Sequence, residues 1–135
     1  MSSHLVRVPI KCSRCGIDAY RTDIAKSEIG ELVVNYSFAC PNCSLALAGH
    51  GPELFEETRK AFYVLEGKWS LHIADLGTRR LEALRVLHSI LGVSPVELMG
   101  VVRDRRPLVE GTLVEVERVE ELLARVGVQL VKSRL

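Results

Sequence analysis

The sequence predicts an α+β protein in two parts, a small β unit first and a mixed unit of strands and helices after it. Three observations carry that expectation. Two Cys-x-x-Cys pairs bracket strand-like sequence in the first third of the chain, a glycine- and proline-rich break follows at Ala48-Gly49-His50-Gly51-Pro52, and beyond it apolar residues recur at helical spacing between short alternating runs. The chain has 135 residues, enough for one ordinary domain or two small ones. With 47% apolar and 26% charged residues it has the composition of a chain with a packed core and lacks that of a disordered one.

The first part is organised by Cys12-Ser13-Arg14-Cys15-Gly16 and Cys40-Pro41-Asn42-Cys43, which use all 4 cysteines of the chain. A Cys-x-x-Cys turn lets two sulfurs converge on one ion, and Gly16 supplies permissive backbone just after a ligand. Between the pairs, residues 18–24 and 32–39 read as strands joined by a turn around Gly30. This order resembles a four-cysteine zinc ribbon. One structural zinc ion, Zn(2+), is expected on Cys12, Cys15, Cys40 and Cys43. Four thiolates close the coordination sphere and leave no position for water, so the metal is expected to fold the chain rather than catalyse. Its binding energy, on the order of 10 kcal/mol, would also be folding energy. A redox pair or free core cysteines are the competing readings, and a thioredoxin-like pair would need a βαβ context that the flanking strands do not supply. His4 and His50 are expected in exposed loops outside the coordination sphere.

The ribbon is expected to occupy residues 1–50. Residues 51–67 read as a connector helix, with Leu54, Phe55, Ala61, Phe62 and Leu65 on an apolar face, Pro52 near its start and Gly67 at its end. That face carries too much apolar surface to stay bare, so the helix should pack on one of the two parts.

Residues 68–135 form the second part. Trp69 to Leu76 alternates apolar and polar residues like a half-buried strand, with Ser70, His72 and Ala74 on the polar side. Thr78 is positioned to cap a helix lined by Leu81, Leu84, Leu87, Ile90 and Leu91 and stopped by Gly92. Ser94-Pro95-Val96-Glu97 is a capping box with proline at the first helical position, opening a helix to about Val102. Residues 107–110 suggest a short strand. Thr112 and Glu115 form a second capping box, whose helix ends at Gly127, and residues 128–132 alternate again. The order is βααβαβ, three helices against one face of a small sheet.

That order, with the run Arg80-Leu81-Glu82-Ala83-Leu84-Arg85-Val86-Leu87-His88-Ser89-Ile90-Leu91-Gly92-Val93, Glu97, Pro107, the final helix and Gly127, resembles the C-terminal domain of the bacterial large-subunit ribosomal stalk protein (L-seven/L-twelve). The fold is shared with the ClpS adaptor of a protease. The resemblance covers about half of the chain. It implies a surface that recruits translational GTPases through the first two helices, with basic residues around an apolar patch. Matched position by position, the partner-binding set is Arg80, Leu81, Leu84, Arg85 and His88. His88 stands where the family has arginine, and Met99 falls near a family lysine. The stalk protein's dimerising helices and hinge are replaced here by the ribbon.

These features favour a non-enzymatic, zinc-containing protein-interaction module whose partner is a translational GTPase or another large assembly. The alternative is a ribbon that binds nucleic acid or RNA polymerase in a regulatory role, using Lys11, Arg14, Arg21 and Lys26 with Tyr20 and Tyr36 for stacking. A net charge of +1 argues against a polycationic binder. No nucleophile triad, phosphate-cradling glycine loop or open metal site points to an enzyme. With no run of apolar residues long enough for a signal peptide or a membrane span, a cytoplasmic protein without membrane contact is expected. A homo-oligomer built through the ribbon or the connector helix is allowed by the sequence.

Overall fold

The computed structural model describes residues 3–135. They form a mixed α+β protein with two antiparallel sheets and four helices, divided into two compact units, one ending at Glu66 and one spanning Gly67–Leu135.

The first unit is a four-stranded meander, β1 (His4–Lys11), β2 (Asp18–Glu28), β3 (Glu31–Ala39) and β4 (Ala46–Gly51), followed by α1 (Glu56–Glu66). Lys11 pairs with Asp18 at the first knuckle and Ala39 with Ala46 at the second, so each Cys-x-x-Cys segment sits in a hairpin connection. Glu28 pairs with Glu31 across a two-residue turn in which Ile29 (φ 54°) and Gly30 (φ 75°) are both left-handed. Such a turn matches the strand twist, and Gly30 suits it. Ile29 is a β-branched residue in a backbone region it normally avoids, and it is 72% exposed.

Alternation along β1 buries His4, Val6 and Val8 on one face, and α1 packs on β1, burying Phe62 and Thr58. A polar network fixes this helix. The fully buried Asp23 carboxylate accepts from Arg21 at 2.7 and 2.8 Å and from the Thr58 hydroxyl at 2.7 Å. Tyr36 stacks on Phe55 with centroids 4.7 Å apart and donates its hydroxyl to the Glu53 carbonyl.

Two local expectations are corrected here. His4 is a buried strand residue, 2.7 Å from a Glu66 carboxylate oxygen and edge-on to Phe62, because α1 returns over the strand and encloses it. The Ala48 to Gly51 segment, expected as a break, is part of β4, and His50 is an exposed strand residue opposite Asn35. Pairing with β3 uses backbone groups, which glycine offers as well as any residue, so composition hid the strand.

The second unit runs β5 (Trp69–Asp75), α2 (Arg80–Leu91), α3 (Pro95–Arg103), β6 (Val109–Gly111), α4 (Leu113–Ala124) and β7 (Gln129–Arg134). The sheet order is β6-β5-β7, and α4 lies against all three strands while α2 packs on α4 and α3. Leu71, Ala83, Leu87, Leu98, Val116 and Leu123 form the centre of its core. One expected capping box forms in full, Thr112 exchanging bonds with Glu115 in both directions, and at the other Ser94 caps its helix by accepting from the Glu97 amide. Gly92 closes α2 in the left-handed conformation (φ 66°), its amide bonded to the His88 carbonyl.

Three details differ from expectation. The residue at the N-cap of α2 is Arg79, with no side-chain cap bond, rather than Thr78. Asp75 instead accepts from the Gly77 amide and shapes the turn. Ser70 is fully buried and bonded to Ser133 on the neighbouring strand, while His72 and Ala74 on the same side are half-buried and exposed, so that side is covered at its start only. Leu81 is 71% exposed because α2 is rotated to point Ala83 and Leu87, one turn apart, into the core.

Candidate metal centre

Each knuckle closes on itself before the sulfurs meet. The Cys12 amide donates to the Ile17 carbonyl and the Cys40 amide to the Leu45 carbonyl, both at 2.9 Å, so the two turns repeat the same closure five residues along. Gly16, at φ 77°, donates to the Cys12 carbonyl and completes the first turn where a side chain would be strained. In the second, the amides of Asn42 and Cys43 point at Cys40 Sγ, each at 3.4 Å. Phe38, Ala19, Ile10, Ile17 and Leu45 pack around the pairs and bury Cys12, while Cys15 faces solvent.

The sheet brings the two hairpin ends together. Cys12 Sγ lies 3.7 Å from Cys43 Sγ, Cys15 Sγ lies 3.6 Å from Cys40 Sγ, and all four sulfurs fall within 4.8 Å of one another. Sulfurs about 2.3 Å from the centre of a regular tetrahedron lie about 3.8 Å apart, whereas a disulfide needs about 2.05 Å. The cluster therefore fits a metal ion and is too wide for either cross-knuckle disulfide.

The electrostatics of the thiols agree with this. The Cys12 thiol is lowered from 9.0 to about 6, first by the backbone of Cys15 and further by that of Arg14, against the opposing effect of burial. Cys15 is also lowered, first by the Ile17 backbone and next by Asn42. At Cys43 the Leu45 backbone favours the thiolate, but burial and the sulfurs of Cys40, Cys12 and Cys15 outweigh it and push the thiol up to about 12. The cluster thus favours its first thiolates and resists its last, because neighbouring negative sulfurs repel. A cation at the centre removes that repulsion, and each bound thiolate releases its proton.

His50, on the exposed face of β4, and His4, bonded to Glu66, both lie outside this four-sulfur group. The second sequence-matched set is on α2, where Arg80, Leu81, Arg85 and His88 are exposed and Leu84 is half-buried against the core. Sequence reading missed two exposed apolar residues on the adjoining α3, Val96 at 84% and Met99 at 55%. The available signal was their spacing: Val96 and Met99 are three residues apart on one side of α3, away from the buried Leu98.

Of the ribbon cations named from the sequence, Arg21 is enclosed, Lys26 is half-exposed, and Lys11 and Arg14 are exposed. Lys11 lies 3.9 Å from Asp18, Lys26 lies 3.2 Å from Glu28, and Arg21 is held by Asp23. Tyr36 is covered by Phe55, and Arg7 lies over the ring of Tyr20 at 4.6 Å. Among the described residues no single helix is long and apolar enough to cross a membrane; α2 and α3, bent by 102°, bury Ala83, Leu87 and Leu98 in their own unit. Comparisons of the chain with protein families, with curated proteins and with solved structures return no match.

Proposed function

We propose that this protein is a non-enzymatic interaction module in which a structural zinc ion folds the first unit as a ribbon and the second unit, as a stalk-like domain, presents α2 and α3 to a protein partner. The observation that carries the reading is the exposure of Leu81, at 71%, on the same helix as the exposed cations Arg80 and Arg85. Leu81 is the one apolar residue of α2 left in water, the others being buried or half-buried, so it adds little to folding. With the exposed Arg80 and Arg85 on the same helix, and Val96 and Met99 exposed on the following one, it suits an acidic protein surface with an apolar centre. The likeness of this half to the ribosomal stalk domain supports a translational GTPase as the partner.

Zinc is the metal that best suits four thiolates in a closed tetrahedron in a reducing compartment. The enclosure of Arg21 by Asp23 and the small number of other ribbon cations speak against the nucleic-acid reading, which requires a dense set of charges for phosphates.

The test is a binding titration of a purified translational GTPase against the full chain and against an Arg80→Glu/Arg85→Glu variant at low salt. Binding that weakens by about tenfold or more on charge reversal supports the reading. Equal binding by both chains, or none by either, contradicts it.

A further inference from the structure

The first unit carries a second surface, along the free edge of its sheet. Among the described residues β1 is the outer strand, next to β2 alone. The Cys12 amide bonds to Ile17 in the same register that pairs Lys11 with Asp18, and antiparallel pairs alternate between bonded and unbonded. Even-numbered residues of β1 therefore direct their backbone groups to β2, and Leu5, Arg7 and Pro9 turn theirs outward. Pro9 has no N–H to offer, which confines an added strand to the stretch before it.

Beside this edge runs a groove of about 630 Å³ lined by Leu5, Val6, Arg7 and Pro9 from β1 and by Ala61, Val64 and Leu65 from α1. Its apolar wall is bare: Val64 is 89% exposed, Leu65 61% and Leu5 52%. The charges at the groove are positive. Arg7 lines it, with its guanidinium resting over the Tyr20 ring at 4.6 Å, and beyond the lining the exposed Lys60 stands one helical turn before Val64 on α1. Glu66, the acid next to Leu65, is turned to His4.

We propose that this groove binds an extended, acidic segment of a partner protein as a fifth strand alongside β1. The outward N–H and C=O groups of Leu5 and Arg7 supply the ladder. Alternate side chains of the incoming strand then point toward Ala61, Val64 and Leu65 and must be apolar, while the intervening ones lie beside Arg7 and must be acidic. A second copy of this chain is a poorer occupant, because pairing β1 with itself brings cationic grooves of the same sign together. This surface is on a different unit from the one assigned to α2, so the two assignments fail separately.

The test uses labelled eight-residue peptides, one alternating valine and glutamate, one alternating valine and lysine, and an N-methylated form of the first that cannot pair as a strand. Each is titrated against the zinc-loaded full chain by fluorescence anisotropy. The glutamate peptide should bind about tenfold more tightly than the other two. Arg7→Glu should reverse the preference between glutamate and lysine, and Val64→Asp should weaken the glutamate peptide; both positions are solvent-facing, and an unchanged circular dichroism spectrum verifies the fold. Protection of the Leu5 and Arg7 amides from hydrogen exchange on peptide addition identifies strand pairing. Equal affinity for the three peptides, no binding of any, or a chain that sediments as a dimer broken by Val64→Asp would each overturn the proposal.

Discussion

The sulfurs of Cys12 and Cys43 lie 3.7 Å apart although 31 residues separate them in the chain. Three strands of a meander bring them there, and the closure of each knuckle by its own backbone bond aims them at a common centre. The sheet and the cluster are therefore expected to depend on each other. Cys43→Ser should lower metal content well below one equivalent and broaden the amide spectrum of the first unit, while residues of the second unit keep their native shifts. Two-dimensional amide spectra read unit by unit, with metal analysis of the same samples, check this.

Asp23 and Arg21 form a nearly enclosed ion pair, with Asp23 fully buried and Arg21 at 15% exposure. The guanidinium is raised above its ordinary value, first by its bond to Asp23, so it stays charged. Arg21→Met leaves a buried carboxylate without its cation and should destabilise the first unit by about 3 kcal/mol. Adding Asp23→Leu should recover much of that loss. Urea unfolding of the two variants measures both numbers, and a double variant less stable than the single one would show that Asp23 stabilises the fold independently of Arg21, through its bond from Thr58.

Tyr36 gives the pH dependence a sign. Its hydroxyl is raised above 10.0, first by burial against Phe55 and its surroundings and next by the Asp23 carboxylate. The unfolded chain then ionises this group before the folded chain does, so stability falls as pH rises from about 10 toward the folded value. Below the ordinary value both states are neutral and no difference arises. A Tyr36→Phe variant should lose less stability than the parent between about pH 9 and about pH 11. Absorbance titration of the tyrosines should show a late step that the variant lacks.

Leu81 and Leu87 share a helix but have opposite environments, 71% exposed and fully buried. Leu87→Ala should cost about 2 to 5 kcal/mol, whereas Leu81→Ala should leave stability within about 0.5 kcal/mol. Thermal unfolding of the two variants separates an exposed contact residue from a core residue before any partner is identified.

Thr112 and Glu115 satisfy each other's amides at the start of α4, the helix that lies against all three strands of the second sheet. Thr112→Ala should therefore destabilise the second unit by about 1 kcal/mol. Denaturant midpoints of the second unit, followed by Trp69 fluorescence, provide the check.

Where the sequence was legible, the chemistry was local. The four cysteines announce their convergence because a thiolate's use for a metal is written into residue type and spacing, and the caps at Ser94 and Thr112 work through bonds three residues long. What was hidden depended on distant chain. His4 shares the buried face of β1 with Val6 and Val8, but its burial is completed by Phe62 and Glu66, which return from distant chain. β4 pairs through backbone atoms, and the composition of Gly49-His50-Gly51 carries no strand signal. The rotation of α2 was illegible for a related reason. Leucines at 81, 84 and 87 define an apolar side, but which part of that side meets α4 is settled by packing, and it turned Leu81 to the solvent.

Elemental analysis of the full chain, purified under reducing conditions without added metal, addresses the metal centre most directly. One equivalent of zinc per chain, with the first unit losing its dispersed amide signals when a strong chelator strips the ion, is the predicted result. A chain carrying well under one equivalent of any metal, whose first sheet remains equally folded in chelator, would contradict it.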